Sequence, residues 1–312
     1  MAITSDGRAY VAGKYGVDLG GSMAGWVYSA EGGYASSEVV TEKMGPDHIA
    51  RKHIAGVKYD DITVSCGTGM SKGFYSWIKD SFDHKYSRKD GAIITADYNY
   101  KEKSRLTFSQ ALIAEVGFPA LDASSKDPCK LSLKFSPEIT RTTATFGGTT
   151  AVTGQFKQAV QKQWLPSNFR LRIDGLDDAC SRVTKIDALV LKQKNVDNSV
   201  GEHRDYQKEP ASIEVPNLVI TTAESHAEEL YKWHEDFVIR GNNFDAQEKG
   251  ATLEYLTPDL KTVLFTVTFQ HLGIFKLSPD KVEAGSEQIR RVKAEMYCEE
   301  MTFNFDGAST WA

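Results

Sequence analysis

The sequence predicts a mainly β protein built from two tandem copies of one antiparallel unit, each a small sandwich or open barrel with one packed α-helix. Three observations carry this reading. Ile62, Val64 and Cys66 alternate with Thr63 and Ser65, the period of a half-buried strand. Met70, Phe74, Trp77 and Ile78 follow at i, i+4, i+7 and i+8, one apolar stripe of a helix. A weaker version returns 156 residues later, where Leu218, Ile220, Leu230, Tyr231 and Trp233 stand in the places of Ile62, Val64, Phe74, Tyr75 and Trp77.

The remaining elements repeat in order. Val17 and Leu19 enter a glycine turn at Gly20-Gly21, and Leu171 and Ile173 enter one at Gly175, 154 residues on. Polar stretches follow, Ser29 to Lys43 in the first copy and Lys192 to Pro210 in the second. Both precede the strand–helix unit. Past the helix, Gly91–Tyr100 and Arg105–Ala111 read as a hairpin turning at Lys101–Ser104. Its counterpart is Gly250–Leu256 and Thr262–His271, turning at Thr257–Asp259. Irregular segments are expected at Gly117–Asp122 and Lys276–Asp280, before alternating strands at Leu131–Phe135 and Val292–Cys298. These repeats place domain boundaries at 1–141 and 169–312, with a linker at 142–168 in which Gln155–Trp164 is a short helix.

Composition bounds the function. A chain of 312 residues exceeds the usual single core, and two domains of about 150 residues are the prior. Hydrophobic content of 41% and charged content of 25% are those of a soluble globular protein, and no run reaches a membrane span. Met1–Gly16 has no apolar run after a basic start, so no secretory leader is expected. A net charge of −5 argues against nucleic acid gripped over a broad basic surface, although not against a conduit for it. The four cysteines are scattered without a CxxC, as structural thiols of a reducing cytoplasm would be.

No catalytic, cofactor or metal site is expected. Gly67-Thr-Gly69-Met-Ser-Lys-Gly73 joins a strand to a helix where a phosphate cradle would sit. Its GxGxxxG spacing fits neither nucleotide-binding pattern, and its counterpart at Thr222–Ala227 holds no glycine. His48 and His53, or His226 and His234, lack metal-ligand spacing. Neighbouring acids such as Asp60-Asp61 point to opposite faces of a strand and do not pair for acid–base work. Trp77, Trp233, Phe74, Leu230, Ile62 and Leu218 are assigned to the core, and Trp26 stays open between core and surface.

In the first copy, Ala24-Gly25-Trp26, Ile54-Ala-Gly56-Val-Lys58-Tyr59, the helix with Trp77, Arg88-Lys89-Asp90-Gly91 and Phe118-Pro119-x-Leu121-Asp122 occur in order. This series resembles the tail tube proteins of contractile phages and of extracellular contractile injection systems. The resemblance implies two tail-tube-like split β-barrel domains in tandem, whose edges pair into rings around a channel. Ordinary members carry one domain per chain; two would close a pseudo-sixfold ring with three copies. It further implies a chain made in the bacterial cytoplasm and built into a virion tail or injection particle. Its partners there are copies of itself and neighbouring tube, hub, spike or sheath proteins. In the family the first polar stretch is a hairpin reaching the adjacent ring. That assigns ring stacking to Glu31, Val39, Val40 and Glu42, with Lys194, Asp197 and Arg204 in the second stretch. The rival expectation is a two-domain β-sandwich that binds glycan or a host surface, which would remain monomeric with a ligand groove.

Overall fold

A computed structural model describes residues 11, 13–43, 45, 49–144, 150–152, 164–280 and 289–305. The first half begins with β1 (Lys14–Leu19), β2 (Ser22–Val27), β3 (Ser29–Gly32), β4 (Ala35–Glu42), β5 (Arg51–Tyr59) and β6 (Ile62–Cys66). Helix α1 (Lys72–Phe82) follows, then β7 (Lys89–Ala96), β8 (Glu102–Phe118), β9 (Leu121–Asp122), β10 (Leu131–Ser136) and β11 (Ile139–Ala144). Ser71 caps α1 by accepting the Phe74 N–H, one of the donors a helix start leaves unpaired. The apolar stripe of α1 buries Phe74, Trp77 and Ile78, with the Trp77 ring 5.4 Å from Phe135 on β10, while Met70 is buried in the turn before it.

The second half runs β12 (Phe169–Ile173), α2 (Asp177–Ser181), β13 (Val183–Ile186), β14 (Leu189–Asn198), β15 (Gln207–Glu214) and β16 (Leu218–Ala223). Helix α3 (Glu228–His234) continues into a wider turn at Glu235–Ile239, then β17 (Lys249–Leu256), β18 (Val263–Pro279), β19 (Arg291–Tyr297) and β20 (Glu300–Asn304). This half therefore carries more than one helix, with α2 where the first half has β2. The two sheets share one order. The first is β1-β7-β8-β10-β6-β3, with β2 beyond β1 and β11 beside β8. The second is β12-β17-β18-β19-β16-β13, with β20 beside β18.

Strands β8 and β18 are each 17 residues long and run through segments expected to be irregular. Each bends at one left-handed residue, Gln110 (φ 53°) or His271 (φ 56°), which lets one strand serve two sheet surfaces. The Gln110 N–H, turned out of the ladder, donates to Asp90 Oδ1 at 2.7 Å. The first hairpin turns earlier than expected, at Asp97–Tyr100. Asp97 Oδ1 accepts the N–H groups of Asn99 and Lys101, and Tyr100 takes φ 60°. Asp259 does the same for Lys261 and Thr262 beside Leu260 at φ 58°. The polar stretches are arms, hairpins β4–β5 and β14–β15. Of the expected linker helix, residues 155–163 lie outside the described residues; Trp164 is buried in the core.

Candidate assembly interface

The halves are joined strand to strand. β14 adds antiparallel to the last residues of β8, with Leu189 opposite Phe118, Val190 opposite Gly117, Leu191 opposite Val116 and Lys192 opposite Glu115. Leu189, Leu191, Val116 and Phe118 are all buried there. Beside this seam β9 pairs with β13, and Lys185 Nζ stands 2.9 Å from the Asp122 carboxylate. Donation from the Ser124 hydroxyl and N–H, and then from Lys185, holds Asp122 down at about 2.

Aromatic rings fill the space under the seam. Tyr75 and Phe82 on α1 and Phe118 on β8 meet Tyr255, Phe265, Phe303 and Phe305 of the second half. Tyr75 is 5.4 Å from Phe265 and 5.5 Å from Phe305, and Phe82 is 5.7 Å from Phe303. Trp164 closes the cluster at 5.4 Å from Tyr255 and 5.3 Å from Phe265. Each such pair is worth about 0.5–1.5 kcal/mol beyond its buried area. The joint is thus core, continuous with both sheets.

The arms lie side by side on one face. Tyr59 donates to Asp205 Oδ1 at 2.8 Å, Arg141 Nη1 donates to Tyr59 at 2.6 Å, and Arg88 bridges Glu138 and Glu209. The residues assigned to ring stacking, Glu31, Val39, Val40, Glu42, Lys194, Asp197 and Arg204, are all exposed, Val39 by 61%. Ile54, opposite Val39 in the β4–β5 ladder, is 68% exposed and extends that apolar tip. Sequence reasoning named Val39 and not Ile54, because only the register places them together.

The residues assigned to the core are located as follows. Phe74, Leu230 and Leu218 are fully enclosed, Ile62 and Trp77 nearly so, and Trp233 sits at the core margin beneath Lys249. The Trp77 indole donates to the Ser87 carbonyl at 2.7 Å. Trp26 is half-buried, edge-on to Tyr100 at 5.3 Å. The glycine loop is engaged by its own chain: Tyr75 reaches the Gly67 carbonyl at 3.4 Å, and Ser71 N–H donates to the Ala24 carbonyl. Burial pushes the Cys66 and Cys129 thiols up to about 12.

One cluster was not visible in sequence. Glu248, His271 and Glu299 bring their ligand atoms within 4.8 Å of one another. Both Glu248 oxygens are already engaged, one by Tyr297 at 2.7 Å and one by His271 at 2.8 Å, which raises the His271 pKa. Two carboxylates and one imidazole fall short of a closed zinc shell. The cluster serves as a hydrogen-bonded clamp at the bend of β18.

Residues 11–134 match the family model of the T4-like virus tail tube protein gp19. The first half of the chain resembles the phage tail tube family. Solved structures similar to this chain include a subunit of the sheath–tube complex of an extracellular contractile injection system, PVC, in its extended state. That chain is 17% identical, with 44% of this chain and 93% of that one covered and a TM-score of 0.40. The tube-terminating cap of the anti-feeding prophage is 17% identical over 46% of this chain and 95% of its own, with a TM-score of 0.39. Hcp1 from Flavobacterium johnsoniae is 15% identical over 42% and 96%, with a TM-score of 0.27. A comparison with curated proteins gave no match. The tube-matched stretch includes β8, the strand that receives β14 from the other half. Among the described residues, no helix is long and apolar enough to cross a membrane.

Proposed function

We propose that this chain is a structural subunit of a tube-like ring in a phage tail or a contractile injection apparatus. It carries two tail-tube-like domains, 1–141 and 169–312, joined by 142–168. The observation that carries the reading is the repeated sheet order together with the β8–β14 seam, which already joins two equivalent units edge to edge. A chain holding two equivalent ring positions closes a pseudo-sixfold ring as three copies, because closed cyclic assembly is the default for self-complementary edges. The ring surrounds a channel, and the arms on one face reach the next ring or a hub, spike or sheath protein.

Negative-stain imaging of the purified full-length chain tests this. Averages with six lobes around a hole are the expected result. A particle with no ring at concentrations well above those of the cell would refute it.

A further inference from the structure

Among the described residues, the internal joint has an unfilled counterpart at the opposite ends of the chain. Three pairs of registers locate it. Ala30 pairs with Val64 as Ile186 pairs with Ile220, and Ser36 pairs with Lys58 as Lys192 pairs with Glu214. Gly33–Ser36 therefore correspond to Leu189–Lys192. Likewise Leu277 pairs with Ala294 as Val116 pairs with Leu133, so Lys276–Pro279 correspond to Glu115–Phe118.

Both counterparts are open except at Gly33, which is buried and whose carbonyl accepts from Thr140 Oγ1. Val116 and Phe118 lie under β14, whereas Leu277 is only half-covered and Pro279 exposed; among the described residues only β19 borders this stretch of β18. Tyr34 is 66% exposed where Val190 is half-buried in the seam. The helices repeat the contrast. Tyr75 is fully buried by the second half, while its equivalent on α3, Tyr231, is 41% exposed.

The receiving side is open too. Phe265, Tyr255 and Phe303, which pack against α1 and β8, correspond in register to Ser104, Thr95 and Thr142. Those three smaller residues line a cavity of about 270 Å³ together with Tyr15, Ile93 and Leu106. A cavity of about 150 Å³ already admits a benzene ring.

We propose that a second copy of this chain fills both openings through a joint that copies the internal one. This rests on the ring reading and names its contacts. Gly33–Ser36 of one copy add antiparallel to Lys276–Pro279 of the next, with Tyr34 opposite Ser278 and Ala35 opposite Leu277. Tyr231 of the copy offering the edge enters the cavity of the copy offering the strand, where Ser104 and Thr142 suit its hydroxyl. The joint between copies is weaker than the internal one. It lacks the phenylalanine stack, and Pro279 brings no N–H to its end. Assembly is accordingly concentration-dependent, while the internal seam persists in the monomer.

Cysteine crosslinking of the full-length chain, under conditions where native mass measurement detects rings, tests the register. Tyr34→Cys with Ser278→Cys should give a reducible ladder of linked chains. Tyr34→Cys with Phe275→Cys, out of register at the bulge of β18, should not. Tyr231→Ala should weaken assembly at least tenfold, with Tyr231→Phe close to the unmodified chain. Hydrogen exchange on the unmodified chain provides a readout free of folding defects, since amides of 34–36 and 276–278 should slow on assembly. Rings without the ladder or that protection would overturn the joint and leave the ring reading standing. A chain that never assembles would overturn both.

Discussion

Phe118 and Phe303 belong to different halves of the chain, and their ring centroids lie 5.5 Å apart. Phe118 is also the residue opposite Leu189 in the strand seam, so one side chain ties the β8–β14 ladder to the aromatic cluster. Halves joined this way share a core and should not melt independently. Phe303→Ala empties a fully buried site and should cost about 3–5 kcal/mol. Calorimetry of the monomer should show one transition, before and after the substitution. Two resolved transitions in the unmodified chain would mean that the seam does not couple the halves.

Trp77 and Trp233 hold equivalent helix positions in different polar surroundings. The Trp77 indole donates to Ser87, whereas the buried Trp233 nitrogen has no hydrogen-bond partner among the described residues. Trp77→Phe should therefore cost about 1–3 kcal/mol, because it strands a carbonyl. Trp233→Phe should stay below about 1.5 kcal/mol, as a conservative apolar exchange does. Equal losses in denaturant melts would contradict the assignment.

Asp122 gives the joint a pH dependence. Its folded pKa is about 2, below the ordinary 3.8, so its contribution is present above about pH 4 and is lost as pH falls toward 2. Asp122→Asn should therefore destabilise the protein at neutral pH and make little difference near pH 2. A destabilisation that persists unchanged at pH 2 would show that the carboxylate charge is not what matters.

Much of this fold was legible because periodicity survives in single elements. The alternation of Ile62, Val64 and Cys66, the α1 stripe and the Tyr-x-Trp repeat each report burial on one face. The joint was not legible. Val116, Leu189 and Leu191 look like any half-buried strand residues, and the pattern is the same whether the covering strand is near in sequence or belongs to the other half. The bends at Gln110 and His271 were missed because neither residue is a glycine, the usual signal for left-handed backbone. The first hairpin turn was displaced for a related reason: Asp97 folds the backbone onto its own carboxylate, a local effect that a hydrophobic pattern does not record.

In the proposed ring the arms separate stability from assembly. β4–β5 forms its own two-stranded sheet with a largely exposed surface, and loop closure costs change slowly with length. Replacing 38–56 by a short turn should leave the melting temperature nearly unchanged and abolish stacking of rings. Trimming β14–β15 must spare Leu189 and Leu191, which are buried in the seam. Normal stacking by the trimmed chain, seen by electron microscopy, would remove the arms from the axial contact.

The most direct test of the account is the mass of the assembled ring. Each chain has a mass of 34.6 kDa and, in this reading, supplies two ring positions. Native mass spectrometry of rings should return three chains. Six chains in a single ring, one position from each, would contradict the account.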